Sequence, residues 1–250
     1  MTQSKEEDRV MQDILIINND SVDIGLKSRL SKEGPELNLV REFIDEIPKI
    51  FKSKKNKLAL FIEPLIDSSY PDIVVTEYDP KIIETWQEQR NLLDNIDFKI
   101  FENIRLKNGL NSTELFQATN HNYKTLLHSI EKLYDAGMIE RKQSKWISNP
   151  LKDIYSVNRI VSIEAKMSEW KTLLNQADAN QWFASESYAL SSVKNPREST
   201  INKFKDCGIG LYSLSNQTLV RLNEAKKQSL PKSHMSWMFN EWVGRYVSQN

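Results

Sequence analysis

Residues 159–166 read RIVSIEAK, an apolar run that ends in a glutamate and a lysine two residues apart. Alternation along an extended chain sends Val161, Ile163 and Ala165 to one face and Ser162, Glu164 and Lys166 to the other. A strand is therefore expected here, with its charged residues at its end. The stretch SEWKTLLNQADANQWFASE (168–186) follows with helical spacing of Trp170, Leu173, Leu174 and Ala177. SYALSSV (187–193) is a second strand, PRESTINKFKDC (196–207) a helix and GIGLYSL (208–214) a third strand. Short apolar strands separated by helices require crossovers, so an at least partly parallel α/β sheet is predicted.

Toward the N-terminus the same texture returns. ILIIN (14–18) reads as a short strand or a loosely attached segment. Residues 35–51 read as a helix, with Pro35 at an early position and Leu39, Phe43, Ile47 and Ile50 along one side. LALFIEPLI (58–66) and DSSYPDIVVTEY (67–78) form two strands around a polar turn, the second starting at Pro71 or Asp72. Residues 79–95 read as a further helix.

The pattern changes at Asp97. A helix stopped by Gly109, a short helix capped by Asn111 or Ser112, a third helix stopped by Gly137 and a small hairpin through residues 138–148 follow in order. That is the element order of a winged helix-turn-helix. The expected organisation is one α/β domain, 1–96 with 149–250, interrupted by a helical module at 97–148. The C-terminal helix at 233–250 places Met235, Met238, Trp242 and Tyr246 on one face, for packing on the core or for a homodimer contact.

The 250 residues suffice for a sizeable core. Lys plus Arg and Asp plus Glu both number 34, which excludes a uniformly basic nucleic-acid footprint and leaves room only for a local one. One cysteine, Cys207, excludes an intrachain disulfide framework and a CxxC zinc site. His121, His128 and His234 are too scattered for a histidine-rich metal centre. The charged N-terminus MTQSKEEDRV precedes no apolar run long enough for a leader or a membrane span, so a reduced, cytoplasmic protein without membrane attachment is expected. GIG at 208–210 is too short for a phosphate-binding loop, and no GxSxG elbow occurs.

Three carboxylates stand where they can meet the end of the Glu164 strand. Asp72 opens an apolar strand, Glu36 lies on the helix before the hairpin, and Glu63 precedes its turn. Converging carboxylates offer the hard oxygen ligands that Mg²⁺ or Mn²⁺ takes while keeping several waters. Asp67 and Glu77 are alternative carboxylates, whereas Asp178 is expected to be solvated.

The ordered set Glu36, Pro71-Asp72 and Glu164-Ala165-Lys166, with a helix bearing Gln176 behind it, resembles the PD-(D/E)xK nuclease superfamily. The resemblance covers about 24–80 and 157–222 and rests on a short motif. It implies a restriction endonuclease-like mixed sheet flanked by helices, in the order helix, hairpin, strand, helix, strand. It further implies that Asp72 and Glu164, with the Ala165 carbonyl, ligate the metal. Lys166 would attend the attacking water, Glu36 would complete the site, and Gln176 and Glu63 would support it. The chemistry implied is metal-dependent hydrolysis of DNA phosphodiesters, leaving a 5′-phosphate and a 3′-hydroxyl.

The inserted module has a small basic excess, concentrated at Arg141, Lys142 and Lys145 of the hairpin. Asn120, His121, Asn122, Lys124, Thr125 and His128 occupy the start of its third helix, where a recognition helix reads base edges and touches phosphate. Lys49, Lys52, Lys54, Lys55 and Lys57 form a basic turn that either is simply solvated or adds phosphate contacts. The expected function is a Mg²⁺-dependent endodeoxyribonuclease with DNA as partner, acting in defence, mobile-element or repair processes. The alternatives are a non-catalytic DNA-binding regulator on a degenerate nuclease fold, and an interaction subunit of a larger nucleoprotein or defence complex.

Overall fold

A computed structural model describes residues 14–18, 23–51 and 55–249. Lys52 and Lys54 of the basic turn lie outside the described residues. Of the described residues, those up to Tyr78 together with Asn158–Lys232 form one compact unit, and Asp79–Val157 together with those from Ser233 onward form a second.

The first unit holds a seven-stranded mixed sheet. Its strands are β1 (Ile14–Ile17), β2 (Lys57–Ile62), β3 (Ile73–Tyr78), β6 (Val157–Lys166), β7 (Glu186–Ser191), β8 (Gly210–Ser215) and β9 (Thr218–Asn223), and they lie side by side in that order. The β1–β2, β6–β7 and β7–β8 pairs are parallel, and β2–β3 and β8–β9 are antiparallel. Asp72 at the head of β3 accepts from Ala165 near the end of β6, so β3 and β6 run in opposite directions. An α/β class with a partly parallel sheet is thus observed. β9 escaped the sequence reading because its exposed, polar-rich TLVRLN carries a weak apolar signal.

Helix α1 (Pro35–Ile50) covers one face. Leu39, Phe43 and Ile47 recur four residues apart and enter a cluster with Leu60, Val75, Val161, Ile163 and Leu190. Each fully buried side chain of this kind contributes about 1.5–3 kcal/mol. Helices α7 (Trp170–Ala179) and α8 (Glu198–Asp206) cover the other face, where Leu173, Ala177, Phe204 and Leu211 meet. β6 is consequently buried on both sides. The face carrying Ser162 and Glu164 is covered by protein, and Ser162 donates to Ser187, which donates to the Ala177 carbonyl.

The second unit begins with the short helix α2 (Pro80–Ile83) and a 3₁₀ turn (Glu88–Leu92) instead of the long helix expected over 79–95. It continues through α3 (Asn95–Leu106), α4 (Ser112–Ala118), α5 (Tyr123–Asp135), the hairpin β4 (Ile139–Lys142) and β5 (Lys145–Ser148), and the short α6 (Leu151–Ile154). Capping boxes at Asp94/Asp97 and Asn111/Glu114 open α3 and α4. Leu110 bridges Trp146 in antiparallel fashion, adding a third, one-residue rung to the hairpin. Gly109 has to be glycine: its φ is 101°, and a Cβ there would lie 2.6 Å from Ile147 Cγ2.

The unit is wider than the 97–148 boundaries read from sequence. Helix α9 (His234–Gln249) belongs to it, with the Trp237 ring 4.8 Å from Phe101, 4.7 Å from Tyr155 and stacked at 6.1 Å on Phe98. Every residue from Met235 to Arg245 is buried, so burial surrounds the helix, where the sequence suggested one apolar face. Among the described residues no helix is long and apolar enough to cross a membrane.

Candidate active site

At one end of the central strands the first unit gathers charged groups from distant parts of the chain. Backbone polarity makes the first contact: the Ala165 N–H donates to Asp72 Oδ2 at 2.7 Å across 93 positions of sequence. Asp72 is half-buried and Glu164 only 4% exposed. The N–H and C=O of one strand residue point to the same side, so the Ala165 carbonyl also faces the Asp72 strand.

Both carboxyl groups are held above their usual range. Burial raises Glu164 most, with the neighbouring Asp72 charge adding to it. Burial is also the main cause for Asp72, with Glu63 adding to it, while the Ala165 N–H, Lys166 and Arg29 pull the other way. Two acidic groups therefore share a poorly solvated space in which ionising both is costly.

Lys166 lies at the mouth. Its Nζ donates to Glu36 Oε2 at 2.7 Å, and the Lys166 side chain is 17% exposed against 45% for Glu36. Burial pulls its pKa down, but Glu36, Asp72 and Glu164 together hold it above the ordinary lysine value. The ammonium stays charged, so Lys166 can orient water or neutralise an oxyanion but has no lone pair with which to take a proton.

Glu63 follows β2 with φ 43°, in the left-handed region that a glutamate rarely adopts. That turn aims its N–H at the Asp72 carbonyl oxygen (3.1 Å) and its buried carboxylate at Arg29. Four carboxylates thus gather around two cations, Arg29 and Lys166.

The structure brings Glu36, Glu63, Asp72, Glu164, Ala165 and Lys166 together at one end of the sheet. It leaves Gln176 exposed on α7, away from the carboxylates' hydrogen bonds. Asn180, one helical turn later and 2% exposed, donates to Glu164 Oε1 at 2.7 Å. The difference is one of face: Leu173 and Ala177 form the inward stripe of α7, Asn180 at its C-cap continues that stripe, and Gln176 lies off it. A polar residue continuing an apolar stripe was the available signal. Arg29 offered none, since its segment has no periodicity.

The other acids separate cleanly. Glu77 accepts from Asn56 at 2.7 Å, five positions along from Asp72. Asp67 is exposed in the turn, and the exposed Asp178 accepts from Gln181 at 2.7 Å. Among the described residues no group of three or more His, Cys, Asp or Glu side chains is clustered in a way that could by itself hold a metal ion. Asp72, Glu164 and the Ala165 carbonyl nevertheless offer hard oxygen donors of the kind Mg²⁺ takes, since that ion needs only one or two carboxylates and keeps its waters.

In the second unit, Asn120, Lys124, His128, Arg141, Lys142 and Lys145 are exposed, and His121 and Thr125 partly so. Asn122 is also exposed and has a second task. Its side-chain oxygen caps α5 by accepting from the Thr125 N–H at 2.9 Å, so the carbonyl end is committed to the helix. The Arg141 guanidinium lies 5.3 Å over the Trp146 ring.

Compared with known proteins, the chain matches no family model, no curated protein and no solved structure.

Proposed function

We propose that the first unit is a divalent-metal-dependent nuclease site that hydrolyses DNA phosphodiester bonds, and that the second unit is a winged helix-turn-helix that supplies DNA affinity. The observation that carries the first half is the pairing of Asp72 with the Glu164-Ala165-Lys166 strand end, where a half-buried and a buried carboxylate repel each other beside a charged lysine. Repulsion of this kind costs stability in the metal-free protein, and a divalent cation relieves it. The run α1, β2–β3, β6, α7, β7 follows the element order of the restriction endonuclease-like core and supports the same reading.

Asp72 Oδ1, Glu164 and the Ala165 carbonyl would hold Mg²⁺ or Mn²⁺. The bound ion supplies a polarised water and a counter-charge for the phosphate. Asn180 fixes the Glu164 carboxylate, and Glu36 fixes the Lys166 ammonium. Lys166 hydrogen-bonds the incoming water and balances negative charge as it builds on the phosphate oxygens. The water oxygen bonds to phosphorus as the P–O3′ bond breaks. The water's proton passes to solvent, and the departing 3′ oxygen takes one back.

For the second unit, three helices, a hairpin and the Leu110–Trp146 rung support the winged-helix reading, and the exposed Arg141, Lys142 and Lys145 support phosphate contact. Those same exposed groups favour one rival, a non-catalytic DNA-binding protein on a nuclease scaffold.

Cleavage of duplex, nicked, branched and single-stranded DNA with Mg²⁺ tests the proposal. Asp72→Ala and Lys166→Ala should each lower the rate by about 10²-fold or more. Equal cleavage by wild type and both variants would sink the assignment, and tight metal-independent binding without cleavage would favour the rival.

A further inference from the structure

Arg29 carries a charge that the motif does not assign. It lies between β1 and α1, in a segment tied to the β2–β3 turn: its N–H donates to the Glu63 carbonyl at 3.2 Å, and Leu65 donates back to Lys27 at 2.7 Å. Backbone position is therefore set on both sides of the residue. The side chain is aimed as firmly. Its Nε meets the Glu63 carboxylate, and its guanidinium lies 5.1 Å over the Tyr70 ring.

A guanidinium in an ordinary internal ion pair spends its fork on its partner. Arg159 does so in this same unit, meeting Glu186 through Nε and Nη2 at 2.6 Å each. Arg29 uses only Nε toward Glu63; among the described residues its two Nη groups make no hydrogen bond. Its side chain is 51% exposed while that of Glu63 is 8% exposed. The Nε edge is anchored on a buried glutamate, the rest of the side chain is half exposed, and its charge bears on both Asp72 and Glu164.

We propose that Arg29 is a substrate-contacting residue of this site, its Nη groups gripping a non-bridging oxygen of the scissile phosphodiester. The inference rests on the nuclease reading of the same site. Geometry and chemistry favour a phosphate oxyanion as the missing acceptor: a planar fork with free parallel donors matches it, and a pre-aimed group loses little freedom on binding. Glu63 and Tyr70 are positioning residues for the fork. Arg29 and Lys166 would then flank the phosphate with fixed positive charge, each held by its own glutamate.

The test uses the full chain with Arg29→Ala and Arg29→Lys. Three quantities are measured: Mn²⁺ binding without DNA, the thermal midpoint, and single-turnover cleavage of duplex DNA with Mg²⁺. Arg29→Ala should bind Mn²⁺ at least as tightly as wild type, because a competing cation is gone, and should cleave about 100-fold more slowly. Arg29→Lys should recover less than a tenth of the lost rate, since an ammonium lacks the fork. A methylphosphonate at the scissile position removes one charged oxygen. One of its diastereomers should slow the wild type markedly more than it slows Arg29→Ala, which a purely structural role would not produce.

Cleavage by Arg29→Ala within threefold of wild type would overturn the proposal and leave the nuclease reading intact. Loss of Mn²⁺ binding or of the folded state in step with the rate would make Arg29 a structural support and also overturn it. Failure of the wild type to cleave any DNA or to bind Mn²⁺ would remove the nuclease reading, and this inference with it.

Discussion

Buried charge is handled in opposite ways at two places, one in each unit. In the second, Arg90 and Glu241 are 3% and 1% exposed, and the guanidinium meets both carboxylate oxygens. Asn240 donates to the same carboxylate at 3.0 Å, Arg90 also reaches the Ile154 carbonyl at 2.9 Å, and the Trp86 ring lies 3.5 Å beneath it. Charge, hydrogen bonds and stacking all close within the fold. In the first unit, Asp72 and Glu164 sit beside each other with Lys166 and Arg29 only at the margins. A closed pair of opposite sign is structural, while the open pair of like sign is where the proposed cation would bind. Burial is common to both, so burial alone does not mark a functional site.

That contrast can be broken by substitution. Cleavage-rate losses aside, the largest expected effect is Glu241→Ala, which strands the Arg90 guanidinium and should cost about 3–5 kcal/mol of stability by denaturant unfolding. Glu164→Gln should do the reverse. It keeps an acceptor for Asn180 and removes a repelled charge, so the metal-free protein at pH 8 should gain on the order of 1–3 kcal/mol while losing metal binding. A destabilised Glu164→Gln protein would show that Glu164 is structural in the way Glu241 is.

The same repulsion sets a pH dependence. The Glu164 carboxyl is pushed from 4.5 up to about 8, so between those values the folded state holds more protons than the unfolded chain. Stability of the metal-free protein should therefore fall as pH rises from about 4.5 to about 8 and then level off, and saturating Mg²⁺ or Mn²⁺ should flatten or invert that slope. Thermal midpoints across the range, with and without the ion, check it. A metal-free protein growing more stable through this window would contradict the arrangement.

Smaller effects sharpen the comparison. Asn180→Ala removes the donor that holds Glu164 and should weaken Mn²⁺ affinity about 10-fold by calorimetry, with little change in fold. Lys142→Ala or Lys145→Ala should lower DNA affinity modestly and reduce the slope of log affinity against log salt by about one each. An unchanged slope would remove the hairpin from the DNA-binding surface.

The periodicity of residues 35–51, the β2–β3 hairpin and the 159–214 run was enough to place α1, β2, β3, β6, α7, β7, α8 and β8, because the helices have a period that matches their burial and the strands are short apolar runs set between turn and helix signals. The polar β9 and the broken stretch at 79–95 have no such period, and they were missed or misjudged. Among site residues, Asp72, Glu164 and Lys166 were legible because strand alternation and strand ends are local properties. Glu36 was legible only through its motif order, and Asn180 and Arg29 were displaced by Gln176 or unseen.

The sequence by itself determined the α/β character, the interruption by a helical module, and the order of the acidic groups along the chain. Tertiary structure alone decided that the Glu164 face of β6 is covered by α7, so that the Glu164 carboxylate lies out of water beside the half-buried Asp72. It also decided that residues 233–249 complete the second unit. Both outcomes depend on which surfaces exclude water, and that is settled by residues far apart in the chain, whereas the periodicity of any one segment records only how that segment alternates.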